Sequence, residues 1–142
     1  MKTFIALLLL VSSTTINAQT WHTDINVAKK HAQELNKNIV LVFQGSDWCG
    51  PCIKLDREVW STADFKAYAK KNFVLLKADF PKKKANRLSK EQQDKNDMLA
   101  EKYNQRGYFP MVAVLSPQGK VLGTTGYKKM TPTEYAKLLS SF

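Results

Sequence analysis

The chain has 142 residues, a length typical of a single domain. Its hydrophobic content of 44% and aromatic content of 11%, with six Gly and five Pro, exclude a fibrous or largely disordered chain. Two cysteines exclude a scaffold of several disulfides and a four-cysteine zinc site within one chain. The 22 Lys and Arg against 12 Asp and Glu give a net charge of +10, which raises the question of a polyanionic partner.

The N-terminal segment has the pattern of a secretory signal peptide. Lys2 precedes an unbroken apolar run at 4–11, a more polar stretch follows, and the small residue Ala18 marks the predicted cleavage site. The apolar run is much shorter than the ~20 residues that a membrane helix requires. We therefore predict a signal peptide at 1–18, a mature domain at 19–142 of net charge +9, and a periplasmic or secreted location. A short N-terminal anchor helix is the alternative.

Hydrophobic periodicity predicts nine elements in the mature chain. In chain order they are a helix at 24–36, a strand at 39–43, helices at 49–60 and 63–71, a strand at 73–78, a helix at 89–103, strands at 111–115 and 121–124, and a helix ending near 140. The β-branched and aromatic run at 39–43 is typical of a central strand buried on both faces, and the turn at 117–120 predicts an antiparallel hairpin. Met98, Leu99 and Tyr103 are expected on one partly apolar helix face. This order predicts an α/β domain with a central mixed β-sheet flanked by helices.

The most informative stretch is Trp48-Cys49-Gly50-Pro51-Cys52, between the predicted central strand and a helix N-terminus. Residues three apart on a helical turn share a face, so the two sulfurs can reach disulfide distance. The first cysteine lies where backbone N–H groups and the helix dipole favour a thiolate, and the second can break a mixed disulfide by internal attack. Cys49 is therefore the predicted nucleophile and the more exposed thiol, and Cys52 is the predicted resolving thiol.

Two other interpretations of the cysteine pair remain. An inert disulfide constrains little of the unfolded chain when its loop is this short, although such bonds are common outside the cytoplasm. A zinc site shared between chains would need further ligands, and His22 and His31 are predicted to be surface residues. No metal and no other cofactor are predicted.

The pentapeptide is identical to the active-site sequence of thioredoxins, and the whole mature chain resembles the thioredoxin superfamily, especially its secreted bacterial members. The segment at 106–110, followed by an apolar strand, is similar to the one that carries the family's cis-proline, and Gly119 and Gly126 also fit the family pattern. The resemblance implies the thioredoxin-like fold and thiol–disulfide exchange.

The resemblance also implies a substrate-binding surface. Pro110 would be cis and close to Cys49, with backbone groups near Phe109 pairing with an extended substrate; a plain proline turn is the alternative. An apolar docking patch would surround the cysteines. Its expected residues are Trp48, Gly50, Pro51, Phe109, Pro110, Gly126 and Tyr127.

The chain departs from the thioredoxin pattern at three places. Val42 or Phe43 stands where thioredoxins carry a buried Asp that helps to move protons, and Asp47 is interpreted as a solvated residue, with assistance to proton movement through water as the alternative. Met111 follows the proline where thioredoxins usually have Thr, and residues 82–93 resemble an insertion. These departures affect substrate choice and redox poise rather than the exchange chemistry itself.

The basic residues are spread and carry no nucleic-acid motif, so no nucleic-acid partner is predicted. The lysine run at 82–84 is interpreted as a solvated loop, with attraction of acidic proteins or an anionic membrane as the alternative. We expect a monomeric thiol–disulfide oxidoreductase that reduces cysteines of exported proteins and receives electrons from a membrane thiol relay. A non-catalytic binding or chaperone-like module is the second hypothesis, and a helper in cytochrome maturation would differ only in its substrate.

Overall fold

A five-stranded mixed sheet runs through the domain, with helices on both of its faces. The computed structural model describes residues 19–142, and the predicted signal peptide at 1–18 lies outside the described residues. The described elements are β1 (Trp21–His22), α1 (Ile25–Leu35), β2 (Asn38–Gln44), α2 (Gly50–Leu55), a π-helical segment (Asp56–Trp60), α3 (Ala63–Asn72), β3 (Phe73–Asp79), a 3₁₀ turn (Lys84–Asn86), α4 (Lys90–Tyr103), β4 (Met111–Leu115), β5 (Val121–Thr125) and α5 (Pro132–Ser140).

The strand order β1-β3-β2-β4-β5 places β2 at the centre of the sheet. The first three strands in that order are parallel, and β4 and β5 add antiparallel pairings. These pairings confirm the α/β class, the mixed sheet, the central position of β2 and the antiparallel hairpin formed by β4 and β5. No helix within residues 19–142 is long and apolar enough to span a membrane.

Two apolar layers hold the helices to the sheet. One face of β2 packs against α2, α3 and α5 around the buried rings of Trp60, Phe65 and Tyr135. The other face packs against α1 and α4, where Ala28, Ala32 and Leu99 are buried. Successive β2 side chains point to opposite faces, so the strand contributes to both layers and is buried along its length, as its unbroken apolar pattern predicts.

Several element boundaries follow from local capping. Asp24 caps α1 by accepting from Asn26 N at 2.8 Å, and Asn36 ends this helix in the left-handed conformation with φ 50°. Thr131 and Glu134 form a reciprocal capping box at the start of α5. The predicted helices at 24–36, 63–71 and 89–103, and the end of the last helix near 140, are confirmed within one or two residues.

Three features differ from expectation. Strand β1 was not predicted, because two residues carry no measurable periodicity and are recognised as a strand by their pairing with β3. The helix predicted at 49–60 changes to a π-helix over its last five residues. Met98 is 69% exposed, since the face of α4 that contacts the sheet runs through Asn96 and Leu99 instead.

The topology brings distant loops to one edge of the sheet. Parallel β2 and β3 both end at this edge, and antiparallel β4 starts there, with Met111 paired to Phe43. Strand β5 ends at the same edge, because Thr125 pairs with Val112. The loops that follow β2, β3 and β5 and the segment before β4 therefore meet around the cysteines.

Candidate dithiol active site

Cys49 is the N-cap of α2, and its position explains how the pair is held. The Cys49 Sγ accepts from the backbone N–H of Cys52 at 3.3 Å, and a disulfide joins the two residues with their Cα atoms 5.2 Å apart. Gly50 and Pro51 form the first turn, where the missing N–H of proline costs no intrahelical hydrogen bond. The Cys52 N–H therefore donates to the Cys49 sulfur, and such a donor at a helix N-terminus stabilises a thiolate there when the bond is reduced.

The expected difference in exposure between the two thiols is absent from the disulfide form. Cys49 is 4% exposed and Cys52 is 2% exposed, so the two cysteines are almost equally buried in this state, and the expected difference concerns the reduced pair. What distinguishes them is the capping position of Cys49, whereas Cys52 lies inside the helix.

Trp48 is held rigidly beside the cysteines. Its indole Nε1 donates to the carbonyl of Phe80 at 2.7 Å, and its ring meets the ring of Phe109 edge-on at 5.5 Å. The Lys82 ammonium lies 4.0 Å from the ring centroid. The indole also lies so close to Gly45 that a side chain on Gly45 would collide with it. Trp48 therefore forms a fixed wall of the site, with 39% of its surface exposed for contact.

The proline segment lies next to this wall. The Phe109–Pro110 peptide bond is cis, as the resemblance implies, and Pro110 is buried. The ring of Phe109 also meets the ring of Phe80 at 5.5 Å, so an aromatic cluster of Trp48, Phe80 and Phe109 borders the site. A groove of about 740 Å³ extends from Pro110; its lining includes Lys102, Arg106, Tyr108, Thr124, Thr125 and Gly126.

Tyr127, the other predicted rim aromatic, is tied to the helix that follows the cysteines. Its hydroxyl donates to Glu58 Oε2 at 2.7 Å, and the Lys54 ammonium lies 5.2 Å from its ring centroid. The structure thus brings Trp48 and Phe109 into one aromatic cluster and places Tyr127 against the helix. Phe80 is the rim residue that sequence reasoning missed, because its only local signal is an apolar residue just after β3.

Asp47 anchors the lysine-rich segment to the active-site loop. Its carboxylate accepts from Lys82 N at 2.9 Å, Lys83 N at 2.9 Å and Asn86 Nδ2 at 3.0 Å. These hydrogen bonds, with that from Lys82 N the largest contribution, hold the pKa of Asp47 below its ordinary value. The interpretation of Asp47 as a merely solvated residue is therefore wrong, since it fastens the apparent insertion beside Trp48.

The structure decides which residue occupies the place of the missing acid. Val42 is fully buried in the layer that contains Leu55 and Val59, which belong to the helical segment that begins at the cysteines. Phe43 lies in the opposite layer. Among residues 19–142 the buried polar side chains are Gln44, Asn96 and Asn104, none of which carries a carboxyl group. Of the two residues considered, Val42 therefore stands on the dithiol side of the sheet.

Comparisons with known proteins agree with this geometry. The thioredoxin-like family model matches residues 20–117. The disulfide bond reductase DsbH of Chlamydia pneumoniae is 32% identical over 114 residues, which cover 80% of this chain and 67% of that protein. The thioredoxin-related protein DsbJ of the same organism is 30% identical over 90 residues, which cover 58% of this chain but only 26% of DsbJ.

Solved structures show the same fold. A DsbH oxidoreductase superposes with a TM-score of 0.80 at 28% identity, covering 96% of this chain and 93% of the other. A disulphide isomerase from Xylella fastidiosa Temecula1 has a TM-score of 0.61 at 22% identity, with coverages of 82% and 86%. The protein therefore has the thioredoxin-like fold and belongs to the thioredoxin-like family.

Proposed function

We propose that this protein is an exported thiol–disulfide oxidoreductase that reduces disulfides in other exported proteins through Cys49 and Cys52. The observation that carries the proposal is the N-capping Cys49 sulfur, disulfide-bonded to Cys52 at the sheet edge where the cis-proline segment also lies. Both the similarity to a protein named as a disulfide bond reductase and the Gly-Pro pair between the cysteines support the reducing direction.

The exchange proceeds in two steps. The Cys49 thiolate attacks one sulfur of the substrate disulfide, which forms a mixed disulfide and releases the other substrate sulfur as a thiolate. The Cys52 sulfur, after losing its proton, attacks the Cys49 sulfur and releases the second substrate thiol. Two electrons have then passed to the substrate, and the protein holds the Cys49–Cys52 disulfide that is observed.

The remaining site residues position the substrate. The wall formed by Trp48 and Phe109 presents exposed apolar surface beside the sulfurs. An extended segment of substrate would pair with the backbone near Phe109, while the cis-proline closes the side of the site next to Cys49. Gly50 and Pro51 are exposed, and Gly126 lies against the Pro110 backbone, so these residues and Tyr127 would border the bound substrate segment.

Continued turnover requires a source of electrons and an oxidised substrate in the same compartment. We propose cleavage after Ala18, export to the periplasm or beyond, action as a monomer, and re-reduction of the Cys49–Cys52 disulfide by a membrane thiol relay. The segment at 1–18, with its short apolar run, supports this location.

Insulin reduction tests the function directly. The reduced protein should precipitate insulin B chain in the presence of a thiol donor, and Cys49→Ser should abolish the activity. Cys52→Ser serves as the matched control, because it should still form mixed disulfides but not release them. Equal activity of wild type and Cys49→Ser, or none in either, would favour the non-catalytic binding module.

The reduction potential of the pair tests the direction. Equilibration against glutathione should give a value near that of thioredoxin, about −270 mV, whereas a value near about −120 mV would indicate an oxidant.

A further inference from the structure

The edge of the sheet that carries the dithiol also carries fixed positive charge. Lys82 lies over the Trp48 ring, and Lys83 and Lys84 follow it in the anchored segment. This segment is joined to the residue before Trp48 by the three hydrogen bonds that Asp47 accepts. The lysine run is therefore part of the active-site border rather than a free loop.

The groove on the other side of the proline segment has the same sign of charge. Among the described residues that line it, the charged ones are Lys102 and Arg106, and both are exposed cations. A chain that passes Trp48 and continues over Phe109 and Pro110 therefore meets Lys82 beside the indole and Lys102 and Arg106 along the groove.

The carboxylates at this edge are turned toward the protein. Asp47 accepts three hydrogen bonds from the lysine-rich segment. Asp79 accepts from Ser46 N at 2.9 Å and Ser46 Oγ at 2.6 Å. These two carboxylates keep their charge but are fixed against the loop backbone, whereas the ammonium groups of Lys82, Lys83 and Lys84 extend from an exposed segment, so three cations face two carboxylates at this border.

We infer that the preferred substrates carry acidic residues beside the disulfide that the protein reduces. This inference rests on the proposed function and names its substrate class. Complementary charge around a reactive site raises the rate of productive encounter and penalises partners of like charge. A peptide fits better than a membrane surface, because the cations border the aromatic wall at Trp48 and a groove lined by Phe109 and Pro110, and an extended chain can follow both.

Single-turnover kinetics with defined peptides tests the inference. Three short disulfide-containing peptides, identical except for Glu, Gln or Lys beside the cysteines, are mixed in a stopped-flow instrument with the reduced protein. At about 0.01 M salt the Glu peptide should react about tenfold faster than the Gln peptide, and the Lys peptide more slowly than either. At about 1 M salt, where charges are screened beyond about 3 Å, the three rates should converge.

Matched double variants locate the effect. Lys82→Gln/Lys83→Gln should reduce the ratio of the Glu to the Gln rate to about threefold or less. The control is Lys70→Gln/Lys71→Gln, which removes two exposed cations from the end of α3, at the opposite edge of the sheet. The control should keep the preference, and an equal loss in both double variants would overturn the inference in favour of net charge alone.

Asp47→Ala separates position from charge. This substitution removes a negative charge near the dithiol, so a simple charge effect would increase the preference for the Glu peptide. If Asp47 is a positioning residue that holds the lysine segment beside Trp48, the preference should fall instead. An increase would overturn the assigned role of the anchored segment.

Other outcomes are equally decisive. Equal low-salt rates for the three peptides would overturn the substrate inference while leaving the proposed function intact, whereas reduction of none of them would overturn both. Equal peptide rates, together with sedimentation on phosphatidylglycerol vesicles that Lys82→Gln/Lys83→Gln abolishes, would assign the basic surface to a membrane and overturn the peptide inference.

Discussion

Replacing Val42 with Asp tests how the protein manages without a buried acid beside its dithiol. Cys52 must lose a proton before it can attack the mixed disulfide, and apolar burial raises the pKa of a thiol. Val42 is 0% exposed, and it packs in the layer with Leu55 and Val59. Slow resolution is therefore expected in the wild type, and Val42→Asp should accelerate it about tenfold by supplying a proton acceptor, which is less than the roughly 10²–10⁴-fold that a fully positioned general base supplies.

The substitution has a cost in stability that can be bounded. Removing a fully buried valine side chain loses about 1.5–3 kcal/mol of hydrophobic stabilisation. An incompletely paired carboxyl group adds about 1–3 kcal/mol. The sum is a large part of the roughly 5–15 kcal/mol by which domains are stable, so urea unfolding must first show that the variant is folded.

Stopped-flow decay of a mixed disulfide between Cys49 and a peptide is the assay. The acceleration should grow with pH, because burial raises the pKa of the new carboxyl group and only its ionised form accepts a proton. Val42→Asn is the matched control, with similar size and stability cost but no titration. Equal acceleration in both variants, or wild-type decay as fast as in an acid-bearing thioredoxin, would refute the reasoning.

Three further outcomes are expected. Brief iodoacetamide treatment of the reduced protein should alkylate Cys49 much faster than Cys52, because Cys49 occupies the capping position, and mass mapping that shows equal labelling would contradict this. N-terminal sequencing of the protein from outside the cytoplasm should begin near Gln19, and a full-length chain confined to the cytosol would contradict export. Thr131→Ala should cost about 1 kcal/mol in urea unfolding, with Thr131→Ser as its control. The hydrogen bond from the backbone N–H of Thr131 lowers the pKa of Glu134 from 4.5 in the folded protein. The stabilisation that the Glu134 carboxylate contributes is therefore complete above pH 4.5 and is lost as the pH falls through the lowered folded pKa. A stability difference between wild type and Glu134→Gln that persists below that pKa would contradict this role of the Glu134 charge.

The fold was largely predictable because its elements carry strong local signals. The cap at Asp24 and the left-handed Asn36 delimit α1 in sequence as they do in space. The apolar run of β2 identified the sheet centre. Strand β1 was not predictable in this way, since it is defined by the pairing of Trp21 with Leu75 rather than by any pattern of its own.

The same distinction between local patterns and distant contacts decides which parts of the site could be predicted. Cys49, Cys52 and the cis-proline are carried by short motifs, and the structure brings their loops to one edge of the sheet. The contacts that shape the border join residues far apart in sequence, such as Trp48 with Phe80, 32 positions away, and Asp47 with Lys83, 36 positions away. No local pattern connects such pairs, so the position of the lysine segment beside Trp48 emerged only from the folded chain.

The unequal support on the two sides of Cys49 has a consequence for protein engineering. On one side Trp48 is enclosed by Gly45, Phe80 and Lys82. If the pentapeptide at 48–52 were moved into another protein without the loop that contains Phe80 and Lys82, the indole would lose the contacts that hold it in this position. On the other side, a side chain added at Gly50 would meet no atom within 4 Å. A mutational library restricted to the Gly-Pro pair can therefore vary the reduction potential of the dithiol while the wall formed by Trp48 and Phe109 stays unchanged, which makes this scaffold suited to laboratory evolution of redox tuning.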